Sequence, residues 1–514
     1  MSGRLKKIIL LVLAAVLLTG SSRVQRALNR DRERLGLTHM AVLDNAPPVL
    51  AFTTVALGGF RGLIANALWI RLTELQDDDK FFEIQQLADW ITKLEPHFPQ
   101  VWVNAAWNMS YNISVKFKEN APGNYADRWR WVQAGIALLR DEGLKYNPDD
   151  VLIHRELGWQ FQHKMGANLD DANLYYKREW LKDMSAVFGN KAANLDELIH
   201  PPTDEARARQ QVLTNKYKMD PVFMKQVDEL YGPLEWRLPE SQAVYWGVKG
   251  LDMAKKNPTH VKAEDLIQLR RLIFQSMQVS FRRGRLMKGG FGFGPNLEII
   301  PKTNFAYEEA MREDERSRSH IATGHRNFLK DAVYFLYQYN RIGEAAKWYQ
   351  YLGEKYPDKT ILDNQPNSLP RNVTLDEYCM GRIVGDFNET DADRIQAAIE
   401  GLMYQSYANL VIGESELSRG QALTANIIWK KFMDQIKGRE MAIALKPLED
   451  TQKEMVNRML DPKDETLGLP PQMRATLRGL LNLGPETATA STNAASAQLV
   501  VPGAATNAPA STNR

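Results

Sequence analysis

The residues with the clearest binding chemistry are aromatic side chains that occur beside histidine and basic residues. The chain has 12 tryptophans in 514 residues, which is many for this length. Aromatic rings beside arginine are typical of peptide-binding surfaces, because they bury a large area at a low cost in side-chain entropy. Packing between helices is the alternative role, and we expect it for at least half of these rings. The predicted partner-binding surface consists of Trp107, Tyr111, Arg155, Trp159, His163, Lys330, Tyr334 and Tyr337.

A basic cluster is the second candidate surface. It consists of Arg270, Arg271, Arg282, Arg283 and Arg285. Such a cluster can bind an acidic partner or anionic lipid headgroups. The alternative is a solvated helix face whose charges are paired with nearby acids such as Glu264 and Asp265.

No pattern for catalysis, a metal or a cofactor is recognisable. The eight histidines are scattered, and His320 and His325 are spaced so that one helix face would not present both. The single cysteine, Cys379, excludes an internal disulfide and a thiolate metal cluster. The Gly-rich stretch 288–304 lacks the ending of a phosphate-binding loop, so we predict a structural loop there and leave a short hairpin open. We therefore predict no catalytic residues, no metal and no small-molecule cofactor. The net charge of +3 gives no indication of nucleic-acid binding.

The elements that would hold the candidate residues are helices. From Leu63 to about Leu483 the apolar residues recur at spacings of three and four, and few stretches alternate as strands do. Several segments also share a helix-pair pattern. In 151–166, Leu157 and Gly158 are followed by Phe161, and a second helix through residues 172–176 is predicted to pack on the first. Small residues at such a crossing let two antiparallel helices approach, and large aromatic residues fill the space beside them.

The same register recurs in 328–358, in 409–432 and twice between Leu75 and Pro148. These five imperfect units resemble the tetratricopeptide repeat family. The strings LGGFRGL and ADWITKLEPHFPQVW are also similar to uncharacterised bacterial membrane-associated repeat proteins, a likeness that implies no activity. The resemblance implies a tetratricopeptide-like α-solenoid of antiparallel helix pairs whose first helices face an inner groove. The family's clamp for a C-terminal carboxylate is matched only in part, by Asn104 and Arg155.

The two ends are predicted to lie outside this fold. A basic start and the short apolar run Ile8–Leu18 form a signal pattern, which is either cleaved or kept as an anchor, and we favour the anchor. The second apolar stretch, 49–70, is interrupted by Arg61 and is predicted to be a buried or membrane-surface helix rather than a second span. The C-terminal 484–514 is rich in Ala, Thr, Ser and Asn and is predicted to be disordered.

The predicted organisation has six parts. They are a signal-anchor segment (1–22), a linker with an apolar helix (23–62), N-terminal tetratricopeptide-like units (63–190), a divergent helical insert with the Gly-rich loop (191–320), C-terminal units (321–483) and the tail (484–514).

This organisation predicts a membrane-tethered scaffold, with most of the chain exported to the periplasmic side of the inner membrane. Its partner would be a protein or peptide in a cell-envelope assembly. Two alternatives stay open. One is a subunit of a larger membrane complex in which 49–70 enters the bilayer. The other is an enzyme on a helical toroid that acts on glycans, which would need two carboxylates roughly 5–10 Å apart.

Overall fold

The computed structural model describes residues 12, 13, 16, 17, 19–24, 26–28, 30, 31 and 61–484, except 168, 259–260, 288–291, 364, 385–391 and 436–444. This part of the chain is mostly helical with almost no strand, which confirms the all-α class. Within it, none of the helices has the length and apolar character needed to cross a membrane. The predicted signal-anchor segment lies largely outside the described residues, and 32–60 and 485–514 lie wholly outside them.

Besides the single helical turn Leu144–Tyr146, nineteen longer α-helices and one short hairpin follow from Arg61 onward in the described part of the chain. In chain order they are α1 (Arg61–Asp77), α2 (Phe81–Leu94), α3 (Pro99–Trp107), α4 (Ala126–Ala137), α5 (Val151–Trp159), α6 (Asn173–Val187), α7 (Leu195–Ile199), α8 (Asp204–Asn215), α9 (Pro221–Tyr231), α10 (Pro239–Lys256), α11 (Ala263–Arg283), β1 (Arg285–Leu286), β2 (Phe293–Gly294), α12 (Ile300–Glu313), α13 (Arg318–Gln338), α14 (Ile342–Lys355), α15 (Leu375–Val384), α16 (Ala392–Val411), α17 (Ser415–Gln435), α18 (Leu448–Leu460) and α19 (Pro471–Leu480).

Three of these helices continue into π-helical turns. The turns are Asn108–Ile113 after α3, Leu138–Gly143 after α4, and Gln160–Gly166 after α5. A π-helical turn places more residues in a turn than an α-helix does, so it changes the direction of the side chains beyond it. π-helical turns in proteins are frequent at functional sites.

Most helices pack against the next helix in the chain. Contacts join α1 to α2, α2 to α3 and α3 to α4. Further along the chain, each helix from α10 to α13 likewise contacts the next one, up to α14. The helix α5 is different, because it packs most extensively on α10 and also contacts α11 and α3. A Cβ atom at Gly158 would clash with Leu272 and lie 3.2 Å from the Ala243 carbonyl oxygen. Gly158 is therefore a small residue at a helix crossing, as its pattern indicates, but the crossing partners are α10 and α11.

The segment between α5 and α10 interrupts this sequential packing, because α5 packs on α10 rather than mainly on the next helix in the chain. The predicted second helix of the unit, which includes Ala172 and Tyr176, corresponds to α6, and α6 contacts the π-helical turn after α5 and the helix α8. The ammonium of Lys177 lies 3.2 Å from the Glu240 carboxylate, and both side chains are buried. This ion pair joins α6 to the first turn of α10. The described helices thus depart from sequential packing between α5 and α10. The bounds 191–320 of the divergent insert stay a prediction.

The hairpin that was left open for the Gly-rich stretch is present and begins slightly earlier. Arg285 pairs with Gly294 and Leu286 with Phe293 in an antiparallel register. Buried apolar residues form one main cluster from Trp102 to Cys379, a smaller one in the C-terminal helices and a third between α1, α2 and α3.

Candidate partner-binding surface

Four of the predicted partner-binding residues form one cluster of aromatic rings, which we call the ring cluster. Trp107 stacks on Tyr111 with ring centroids 5.5 Å apart, and Trp159 stacks on His163 at 4.5 Å. Tyr111 and His163 join the two pairs, with centroids 5.7 Å apart. Trp107 is 41% exposed and Trp159 is 36% exposed. Two large aromatic side chains that remain this accessible, on a base of packed rings, form a surface suited to binding another molecule.

The two pairs come from equivalent places on adjacent helices. AAWNMSY (105–111) and LGWQFQH (157–163) each have small or apolar residues, then Trp, an amide residue, and a ring four residues after the Trp. In both helices the Trp is the last α-helical residue and the second ring lies in the π-helical turn. The helix α3 starts with Pro99 in its first turn, and the Asp150 carboxylate caps α5 by accepting a hydrogen bond from the Ile153 amide at 2.9 Å. Pro99 and the Asp150 cap set where the two helices begin, and therefore where Trp107 and Trp159 lie along them.

A hydrogen bond joins the two stacked pairs. The Tyr111 hydroxyl lies 3.1 Å from His163 Nδ1. Burial raises the pKa of Tyr111, so the hydroxyl keeps its proton. Burial and the nearby Lys164 lower the pKa of His163, so the imidazole is neutral near pH 7. The contact is therefore a hydrogen bond between a protonated phenol and a neutral imidazole.

A buried charge network lies beneath the ring cluster. The Lys164 ammonium is 2.5 Å from the Asp170 carboxylate and 5.0 Å from the Tyr111 ring centroid. Arg128 and the Tyr176 hydroxyl also bond to Asp170. Burial acts to raise the pKa of Asp170, but the hydrogen bonds from Lys164 and the Ala172 amide and the charges of Lys164 and Arg128 together outweigh burial, and the net pKa is lowered. These charges are therefore paired with one another inside the protein, and the Lys164 ammonium packs against the Tyr111 ring of the cluster.

The fifth predicted residue, Arg155, lies one helical turn before Trp159. It is half-buried, and no ion pair or hydrogen bond to it is found among the described residues. Its sequence neighbour Glu156 is buried, accepts a hydrogen bond from Gln160 at 3.2 Å, and has a pKa raised by burial. Arg155 is therefore a cation without an ion pair among the described residues, close enough to Glu156 for its charge to act on that carboxyl, and its role in binding stays a prediction.

The other three predicted residues lie on α13 and do not join this surface. Lys330 is buried with its ammonium 3.2 Å from Asp363, and the buried Tyr337 donates to Asp376 at 2.8 Å. Tyr334 lies beneath the Arg382 guanidinium, 5.0 Å from its ring centroid. These contacts join α13 to neighbouring segments of the chain. The helical periodicity therefore led, at these three positions, to residues that stabilise the fold.

The five arginines of the basic cluster do not form a free cationic surface. Arg270 bonds to Glu309 and Glu313, Arg271 to Asp314, Arg282 to Asp331, and Arg285 to Glu414. Arg283 is exposed and makes no ion pair within the described part of the chain. The alternative of paired charges thus applies to four of the five. The acids come from α12, α13 and the residues that flank α12 and α17 rather than from Glu264 and Asp265, because the long arginine side chains reach neighbouring segments.

Sequence reasoning missed the network around Asp170. Asp170 follows Lys164 by 6 residues and Arg128 by 42, and neither separation is a helix spacing that would indicate a contact. A signal for the ring cluster itself was present in the parallel strings at 105–111 and 157–163. No set of three side chains that could hold a metal ion is found among the described residues.

Comparisons with known proteins do not assign the chain to a family. No protein-family model matches the chain, and neither the curated proteins nor the solved structures include a significant match.

Proposed function

We propose that this chain is a membrane-tethered scaffold that binds a protein or peptide partner through the ring cluster and Arg155. Its helices would form a tetratricopeptide-like solenoid with an excursion between α5 and α10. The N-terminal apolar run Ile8–Leu18 would tether the chain, and the remainder would lie on the periplasmic side of a cell membrane. The process served would be assembly of a cell-envelope complex.

The observation that supports this proposal best is the combination of exposure and rigidity at the ring cluster. An exposed tryptophan on a mobile side chain loses rotamer freedom when it binds, and that loss opposes affinity. Here stacking and the Tyr111–His163 hydrogen bond fix the rings before any partner arrives. Fixed aromatic residues beside an unpaired arginine are typical of the residues that dominate binding energy at interfaces.

Affinity capture from membrane extracts tests the proposal with the full-length chain. The double variant Arg155→Ala with Trp159→Ala is compared with wild type after chemical crosslinking. We expect a discrete partner that is lost from the double variant, because both its aromatic anchor and its cation are removed. Trp90→Ala is the matched control, since Trp90 is an exposed tryptophan on α2 outside the ring cluster.

Thermal unfolding of each variant separates loss of binding from loss of structure. A partner that stays bound to a folded double variant contradicts the proposal. So does a partner that Trp90→Ala removes equally well.

A further inference from the structure

We propose that a cleft between α7, α9 and the turn before α10 binds an alkyl cation, that is, a guanidinium or primary ammonium group on an apolar stem. The cleft shares no residue with the ring cluster, so this site goes beyond the proposed function and does not depend on it. Three features of the cleft support it: its size, an immobilised carboxylate without a cation, and apolar walls.

The cleft is large enough for a small ligand and open to solvent. Its volume is about 460 Å³, and its lining comes from 192–196, 225–229 and 233–236. Small-molecule sites in proteins have volumes of roughly 300–1,000 Å³. Asp196 and Glu229 line the cleft and are exposed, so a solute can enter on their side. The cleft can therefore take up a long side chain or a small organic cation.

The half-buried Asp228 presents a carboxylate that is held in one orientation. Its Oδ1 accepts hydrogen bonds from the Leu234 amide at 2.9 Å and from the Trp236 indole N–H at 3.0 Å. A Cβ atom at Gly232 would lie 2.5 Å from the Asp228 carboxylate carbon, so the turn before α10 packs directly against this group. The second oxygen, Oδ2, accepts no hydrogen bond from the described residues. A donor in the cleft would therefore find a fixed acceptor that needs no reorganisation.

The charges that line the cleft are mostly negative and only partly paired. Two of its acids have cations, in the ion pairs Asp196–Lys225 at 2.6 Å and Glu235–Arg237 at 2.7 Å. Neither Asp228 nor Glu229 forms an ion pair among the described residues. Burial raises the pKa of the Asp228 carboxyl, because the ionised form is poorly solvated in the cleft. A cation bound beside Asp228 would replace that missing solvation.

The remaining lining favours a cation on a hydrocarbon stem over other donors. Its apolar walls include Ala193, Leu195, Pro233 and Leu234. A metal ion such as Ca²⁺ would need several oxygen ligands close together, and no set of three suitable side chains is found among the described residues. A neutral saccharide could donate to the carboxylates but would leave the charges of Asp228 and Glu229 uncompensated. An alkyl cation fits both the charge and the walls.

Titration of the full-length chain in detergent with n-butylguanidinium tests the inference. The NMR resonance of the Trp236 indole N–H, assigned with Trp236→Phe, reports binding because this group bonds to Asp228. n-Butylurea is the reference ligand, since it has nearly the same shape and no charge. We expect saturable shifts with n-butylguanidinium and n-butylammonium, and binding of n-butylurea that is weaker by about tenfold or more, because charge-assisted hydrogen bonds are the stronger ones. This comparison uses only the wild-type chain, so it does not depend on the stability of a variant.

A matched pair of variants tests the role of the fixed carboxylate. Asp228→Asn removes the charge but keeps an oxygen that can accept from Leu234 and Trp236, and it should weaken n-butylguanidinium binding by about tenfold or more. Asp450→Asn, which removes an exposed acid on α18, should leave binding unchanged. Thermal unfolding shows whether each variant is folded.

The peptide acetyl-Gly-Gly-Arg-Gly-Gly-amide distinguishes the two sources of such a cation. If the peptide binds as tightly as n-butylguanidinium, the site takes a protein side chain; if only the free cation binds, it takes a small solute. Either result supports the inference. Failure of n-butylguanidinium to bind, equal binding of n-butylurea, or unchanged binding by a folded Asp228→Asn would overturn it, and none of these outcomes bears on the ring cluster.

Discussion

At the scale of single residues, the important distinction is between aromatic side chains that bind and aromatic side chains that pack. Trp102 and Trp107 lie on the same helix, yet Trp102 is 4% exposed and Trp107 is 41% exposed. The Trp102 indole stacks on Tyr146 and donates to the Pro96 carbonyl oxygen at 2.9 Å. The two tryptophans should therefore differ in their contribution to stability.

We predict that Trp107→Ala lowers the free energy of unfolding by less than about 1 kcal/mol, as for most surface changes. Trp102→Ala should lower it by about 3–5 kcal/mol, because it leaves a cavity in the core. Urea denaturation followed by circular dichroism measures both. Equal losses would mean that Trp107 is a core residue and would remove the basis of the ring cluster as a binding surface.

A second prediction at this scale concerns the buried His325. It lies between Asn304 and Tyr356, with side-chain hydrogen bonds of 2.7 and 2.8 Å. Burial lowers the pKa of His325 from 6.5 to about 4. The unfolded chain takes up this proton near pH 6.5 and the folded chain only near pH 4, so stability should fall as the pH decreases through this window. The difference corresponds to at most about 3 kcal/mol for this group.

Urea denaturation of wild type and His325→Gln at pH 7.5, 6 and 5 measures this dependence. The variant should lose less stability than wild type between pH 7.5 and 5, because Gln does not titrate. His320→Gln on the same helix is the control, since His320 is exposed, and it should keep the wild-type slope. An unchanged slope in His325→Gln would show that this imidazole is not the group responsible.

At the scale of elements, close helix crossings depend on glycine. A Cβ atom at Gly420 on α17 would clash with the Gln338 carbonyl oxygen at the end of α13. At Gly401 on α16 nothing lies within 4 Å of such an atom. The same substitution should therefore have opposite effects at these two positions.

We expect Gly420→Ala to destabilise the protein by about 1–3 kcal/mol or more, since backbone atoms must move apart. Gly401→Ala should stabilise it by up to about 1 kcal/mol through helix propensity. Differential scanning calorimetry of the two variants gives the sign in each case. A stabilising Gly420→Ala would contradict the helix contact seen here.

The sequence predicted that the elements are helices but did not predict which helices pack together. The helical period identified the all-α class because it depends only on local spacing. Gly158 was correctly assigned to a helix crossing, since small residues in apolar stripes are diagnostic of close approach. The partner of that crossing could not be predicted, because residues 160–238, nearly eighty in all, separate α10 from α5. Lys330 and Tyr337 were misassigned to a binding surface for a related reason. Their burial depends on Asp363 and Asp376, which local periodicity does not reveal.

At the scale of the whole molecule, Arg285 links the hairpin to the C-terminal helices. Its guanidinium donates two hydrogen bonds to Glu414, of 2.9 and 3.0 Å, and one to the Tyr339 hydroxyl. Glu414 immediately precedes α17, whose buried residues belong to the C-terminal apolar cluster. This ion pair therefore contributes to holding the C-terminal helices against α13.

We predict that Arg285→Met increases amide hydrogen exchange in α16 and α17, because Glu414 is left buried without its partner. Arg283→Met is the matched control, since Arg283 is exposed, two residues away, and without an ion pair among the described residues. Mass spectrometry of peptides from 395–435 reports the exchange. Equal exchange in the two variants would assign no linking role to Arg285.

The central claim is that the ring cluster on α3 and α5 is where a partner binds, and site-specific photocrosslinking tests it most directly. A benzophenone amino acid is placed at Trp107 and, as a control, at Phe305, an exposed aromatic residue on α12. The account predicts a discrete protein adduct from position 107 that is lost when Arg155→Ala and Trp159→Ala are added, and no such adduct from position 305. The same adducts from both positions, or an adduct at 107 that is indifferent to Arg155 and Trp159, would contradict it.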